Sequence, residues 1–134
     1  MSNKSNTLHI LLWVAQILLS VSLVGGSMVK LFLPADELAV MWPWTADNPS
    51  LVKLTGILDL LAGIGLVVPS LFRIRPRLTI FAAYGTLVLM IAAITFHVMR
   101  GEASQIGANI FFAILAAFIA WGRQTKVPLV SKGT

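Results

Sequence analysis

Apolar residues in this chain do not alternate with polar ones; they run in four long blocks, Leu8–Val29, Leu51–Val68, Leu78–Met99 and Ser104–Trp121. A helix crossing a bilayer core of roughly 30 Å needs about 20 such residues. Within hydrocarbon the backbone has to satisfy its own hydrogen bonds, so blocks of this kind predict helices. The pattern therefore predicts an all-α integral membrane four-helix bundle, with residues 1–134 forming a single membrane domain. A secretory signal peptide competes for the first block, but Leu8–Val24 exceeds the usual apolar run of about 7–15 residues, which favours a retained span. The one long connection, Leu31–Ser50, holds PADELAVMW, predicted as a short helix started by Pro34 with acids in its first turn. PWTADNP after it reads as turns, and the whole connection is placed on the outer surface as a cap.

Inside each block the polar and small residues are not scattered. Projected at about 100° per residue, Gln16, Ser20, Ser27 and Lys30 share one face of the first span. Thr55, Gly56, Asp59 and Gly63 do so in the second, Ala82, Thr86, Ala93 and His97 in the third, and Asn109, Ala113, Ala116 and Ala120 in the fourth. Small residues let helix backbones approach closely in a membrane, so these faces are expected to turn inward and the Leu, Ile, Val and Phe faces toward lipid. By depth, Asp59 falls near midplane, Asn109 one or two turns inside the outer surface, and Lys30, Lys53 and His97 close to that surface. The expected result is a polar pocket opening outward with Asp59 at its floor, Gln16 the deepest group on the first span, and an almost wholly apolar inner half.

Charge adds an orientation. Lys4, Arg73, Arg75, Arg77, Arg123, Lys126 and Lys132 fall on one side of the predicted bundle without an acid among them, whereas the other side mixes both signs. The positive-inside rule then places both termini in the cytoplasm, as for a multi-pass protein of the bacterial cytoplasmic membrane. Trp13 and Trp121 are expected near the inner interface and Trp42 and Trp44 near the outer one. Only 11% of residues are charged, and the net charge of +5 is accounted for by these topology signals, not by nucleic-acid binding. The absence of cysteine removes thiolate metal sites and disulfide exchange from this chain. His9 and His97 fall on opposite faces, which argues against one haem between them, and no metal site is expected.

A carboxylate in the middle of an apolar helix costs several kcal/mol unless it is compensated. Lys53 lies about 120° round the helix from Asp59 and is a poor partner. Lys30, reaching from the inward face of the first span, and His97 are the better candidates, with protonation of Asp59 a third way out. Asp59, Lys30, His97, Asn109, Gln16 and Thr55 are the candidate ligand-binding residues, with Lys53 and Glu102 weaker ones. The plainer alternatives are a structural ion pair for Asp59, a snorkelling Lys30, an interfacial His97, interhelical hydrogen bonds for Asn109 and Gln16, and a solvated pair for Arg100 and Glu102. No known catalytic motif occurs, so independent catalysis is not expected.

KLTGILDLLAGIGLVVP, LTIFAAYGTLVLMIAAITFHVMRGE and NIFFAILAAFIAWGR together resemble the DoxX-like small membrane proteins. The resemblance rests on Gly56, Asp59, Gly63 and Gly65, on His97 before a short turn, on Asn109, on the closing Gly122 and Arg123, and on Gly26 with Lys30. Many relatives carry Glu where this chain has Asp59. The resemblance implies a four-helix membrane bundle in a functionally mixed family. Some members are quinone-reducing subunits paired with a second protein in thiosulfate oxidation, others associate with oxidative-stress enzymes, and distant ones assist receptor assembly or cargo export. Fold alone transfers none of these activities. Three functions compete here: a redox accessory subunit whose pocket takes a quinone or another lipophilic ring, working with a redox partner protein; a non-catalytic scaffold that docks membrane proteins through its glycine faces or the Trp42–Trp44 loop; and a small proton-linked transporter acting as a homo-oligomer.

Overall fold

The computed structural model describes residues 3–130; Lys132 lies outside them, as does the side chain of Lys4. Six α-helices follow in order: α1 (Asn3–Phe32), α2 (Ala35–Met41), α3 (Trp44–Asp47), α4 (Pro49–Phe72), α5 (Arg77–Met99) and α6 (Gly107–Trp121). A 3₁₀ turn, Ala103–Gln105, precedes α6, and a π-helical turn, Gly122–Lys126, continues it. No strand occurs among the described residues.

Helices α1, α4 and α5 are long and apolar enough to cross a membrane. The helices themselves reach past the blocks read from sequence, α1 and α4 by several flanking residues such as Thr7, Ser50 and Ser70, and α5 by Arg77 alone. Pro49 sits in the first turn of α4, where a missing N–H is harmless, and Pro69 falls in its last turn. Helix α6 is shorter than its block. Its 15 residues rise only roughly 22 Å, because Ser104–Ile106 are spent on the 3₁₀ turn and the approach to the helix.

The long helices close into a ring in which α1 packs on α4, α4 on α5, α5 on α6 and α6 on α1. Contacts run in opposite senses along each pair. Ser20 Oγ donates to the Gly63 carbonyl at 2.6 Å while Lys30 meets Asp59, and Gly65 faces Ala82 while Ser70 faces Thr79. All neighbours are therefore antiparallel. Both described chain ends and the Arg73–Arg77 link share one end of the bundle, called here the terminal end; residues 33–48 and 100–106 share the opposite end.

The four polar faces all turn inward. Gln16, Ser27, Gly56, Asp59, Gly63, Thr86, Ala116 and Ala120 are buried, whereas Ile10, Val21, Leu61, Val88 and Ile114 are exposed. Hydroxyls that would be costly in an apolar setting fold back on their own helix: Thr55 donates to the Leu51 carbonyl, Thr86 to Ala82 and Thr95 to Ile91. Glycine sets the tightest approach. A Cβ on Gly63 would stand 2.7 Å from Val24 Cγ2 and 3.1 Å from the Ser20 carbonyl oxygen, so only glycine lets α1 and α4 meet here.

The 33–48 connection caps the opposite end. Helix α2 occupies the predicted short-helix segment, with Asp36 and Glu37 in its first turn. The PWTADNP stretch, expected as turns, instead contains the single-turn α3. Leu38, Trp44 and Val52 form a small buried cluster with Phe96 and Val29 packed against it.

Candidate functional site

A cavity of about 640 Å³ opens beneath this cap, between α1, α4, α5 and α6. Its acidic member is Asp59, only 5% exposed in mid-α4. Lys30, in the last turn of α1, places Nζ 2.8 Å from Asp59 Oδ2. Of the two partners open from sequence, Lys30 makes the contact. Gly56 holds it there, since a Cβ on this glycine would stand 3.2 Å from Lys30 Cβ and 3.1 Å from the Leu31 side chain.

Lys30 also touches the aromatic wall. Its Nζ lies 5.8 Å from the centroid of Trp44, within cation–π range. Trp44 stands edge-to-face with Phe96 at 5.7 Å and with His97 at 6.2 Å. Trp44 is thus a buried cavity wall and not the interfacial anchor expected of an outer-loop tryptophan. His97 Nδ1 lies 3.2 Å from Glu102 Oε1, which also accepts from Arg100 Nε at 2.9 Å. The hydrogen bond with His97 holds the Glu102 carboxyl below its ordinary value; desolvation opposes this, and the hydrogen bond and charge of Arg100 add to it.

Thr55 and Asn109 line the same cavity. Thr55 spends its proton on α4 carbonyls and keeps oxygen lone pairs for a ligand. The Asn109 amide makes no hydrogen bond to a described residue, so both its donor and acceptor sides are open to a guest. Asp59, Lys30, His97, Asn109 and Thr55 are therefore brought together. Glu102 stands one contact behind, through His97, and Lys53 is exposed and does not line the cavity.

Gln16 is elsewhere. It is buried toward the terminal end, where Nε2 donates to the Leu66 carbonyl at 2.7 Å and to Ser70 Oγ at 3.3 Å. Its Oε1 accepts from Arg123 Nε at 2.7 Å. Ser70 and Thr79 hydroxyls pair at 2.6 Å beside it. Arg123 Nη1 donates to the Val127 carbonyl at 3.1 Å and meets His9 Nδ1 at 2.9 Å. Guanidinium has donors only, so Nδ1 must accept and this imidazole is neutral. The expectation of an apolar inner half is corrected by this network. Ser70, Thr79 and Arg123 each fall at a block edge, where hydropathy reads them as boundary residues, but the π-helical turn after α6 carries Arg123 back into the bundle. Gly122 makes room for that turn: a Cβ there would stand 2.5 Å from Leu12 Cδ2. The sequence offers Arg123 only as a topology signal and, with Gly122, as part of the family resemblance; nothing in its spacing points to His9.

Cavity chemistry is that of a half-open, mostly apolar room with an ammonium–carboxylate pair, an imidazole and an amide at one side. Such a room suits a flat lipophilic molecule bearing hydrogen-bonding oxygens. The sequence model of the DoxX-like family matches residues 14–119, so the chain belongs to that family, and it is a membrane protein of it. No curated protein and no solved structure matches the chain.

Proposed function

We propose that this DoxX-like chain is a four-span accessory subunit in redox or oxidative-stress physiology whose Asp59–Lys30 cavity binds a quinone or a similar lipophilic ring. In this reading α6 and its π-helical turn complete the fourth span, both termini face the cytoplasm of a bacterial cell, and the cavity opens to the opposite side. One observation carries the proposal: a buried ion pair is set into the wall of a cavity of about 640 Å³ whose other walls are aromatic and aliphatic. A structural ion pair alone would pack without such a space. A ring entering between Trp44, Phe96 and Phe112 meets Lys30 or His97 as donor to one carbonyl oxygen and Asn109 as an adaptable partner. Asp59 fixes the Lys30 ammonium and can take up or release a proton when the ligand changes state. Electrons would come from a partner protein, since this chain shows no cofactor motif of its own.

The scaffold reading keeps only the half-buried Trp42 of its Trp42–Trp44 docking patch, because Trp44 is buried. Of the glycines, Gly56 and Gly63 are taken up against α1 within the bundle, whereas Gly25, Gly26 and Gly85 face open space.

Tryptophan fluorescence of the purified full chain, titrated with a short-chain benzoquinone or naphthoquinone, tests the proposal. Saturable quenching is expected, weakened by Asp59→Asn and Lys30→Met and unaffected by Lys53→Gln. Quenching that never saturates, or that ignores Asp59→Asn, would sink it.

A further inference from the structure

Arg123 is only 2% exposed, yet every hydrogen-bond partner it has is neutral: Gln16, His9 and the Val127 carbonyl. Its Nη2 is buried without a hydrogen-bond partner among the described residues, and the Trp13 ring, 5.7 Å from Cζ, offers the guanidinium a π face but no negative charge. A buried cation in this situation carries a desolvation cost that neutral acceptors only partly offset. A guanidinium keeps its charge at neutral pH even when buried. No acidic side chain supplies the missing anion. All five acidic residues, Asp36, Glu37, Asp47, Asp59 and Glu102, belong to the cap, the Lys30 cavity or the α5–α6 link at the other end.

Arg123 lines a second cavity, of about 510 Å³, between α5 and the segment after α6. Arg77 lines it too, on the first turn of α5. Tyr84 donates to Gln124 Oε1 at 2.5 Å across its side, and Phe81 and Leu129 supply apolar walls. Two arginines, no carboxylate and adjacent apolar surface are the components of an anion site at a membrane boundary. Guanidinium forks match phosphate oxygens in pairs, which an ammonium cannot do.

We propose that this second cavity binds a phosphate-bearing anion, held by Arg77 and Arg123, independently of the Asp59 cavity. The phosphate can belong to the headgroup of an anionic phospholipid, with an acyl chain along Phe81 and Leu129, or to a soluble phosphate. In either case the bound oxygens complete the coordination of Arg123 and tie α5 to the chain following α6.

Thermal unfolding of the full chain in uncharged detergent, titrated separately with short-chain phosphatidylglycerol, short-chain phosphatidylcholine and inorganic phosphate, tests this. A saturable rise in the midpoint with phosphatidylglycerol or with inorganic phosphate is expected, and which of the two acts identifies the source. Arg77→Gln should weaken that binding about tenfold or more, the usual scale for a lost charge-assisted hydrogen bond, whereas Lys126→Gln, on the same end but not lining the cavity, should not. Arg123→Gln should abolish it; if that variant does not fold, the exposed Arg77 decides. Equal effects of phosphatidylcholine and phosphatidylglycerol, no saturable effect of either anion, or indifference to Arg77→Gln would each overturn the proposal.

Discussion

The Lys30 ammonium and the Asp59 carboxylate, 29 positions apart, meet at 2.8 Å and join the last turn of α1 to the middle of α4. Both are largely withdrawn from solvent, with side-chain exposures of 16% and 8%. Removing one partner of a buried pair leaves the other charge uncompensated, which costs about 3–5 kcal/mol. Lys30→Met should therefore destabilise strongly, and Lys30→Met with Asp59→Asn should recover much of the loss. Equilibrium unfolding of the four proteins of this double-mutant cycle measures the coupling; additive losses would show that the contact is energetically idle.

Glycines in the bundle differ sharply in what they allow. Gly63→Ala drives a Cβ against Val24 Cγ2 at 2.7 Å and toward the fixed Ser20 carbonyl at 3.1 Å. A loss of about 1–3 kcal/mol is expected, as for other overpacked interfaces. Gly85 has nothing within 4 Å of the same position, so Gly85→Ala should gain up to about 1 kcal/mol from helix propensity. Thermal midpoints of the two variants should move in opposite directions.

Gln16 stands between Arg123 and Ser70 and serves both. Gln16→Leu keeps volume near Leu19 but strands the Arg123 Nε donor, costing about 1.5–3 kcal/mol for a hydrogen bond to a charged group. Gln16→Glu instead supplies the anion that Arg123 lacks, and should be the milder change. Denaturant unfolding of the two variants, in that rank order, checks the role.

Glu102 supplies the pH dependence outside the membrane-spanning helices. Its carboxyl titrates below the ordinary 4.5 in the folded protein, chiefly through His97. The pairing therefore stabilises the α5–α6 link fully above that ordinary value, and the contribution is lost as pH falls through the depressed folded value. Amide exchange across residues 100–106 should accelerate on acidification below about pH 4.5 in the native protein, after correction for intrinsic exchange. In Glu102→Gln this added pH dependence should vanish.

Much of the bundle was legible because helical periodicity is a local property. Gly63, Thr86 and Ala116 declare the inward face of their helices from sequence spacing alone, and the structure buries each of them. Lys53 could be set aside as a partner of Asp59 by the same angular reasoning. Choosing between Lys30 and His97 was not open to such reasoning, since both were placed near the same depth and on inward faces.

Composition and spacing by themselves determined that the chain is helical and membrane-embedded and which stripe of each helix is buried, because burial of apolar area and backbone satisfaction act within one segment. Tertiary structure alone decided who meets whom. It drew Trp44 inward against His97, gave Asp59 to Lys30 and carried Arg123 back to Gln16 across 107 positions. Such pairings depend on the relative rotation and sliding of neighbouring helices, and those are set by close contacts at Gly56, Gly63 and Gly122 that no single segment encodes.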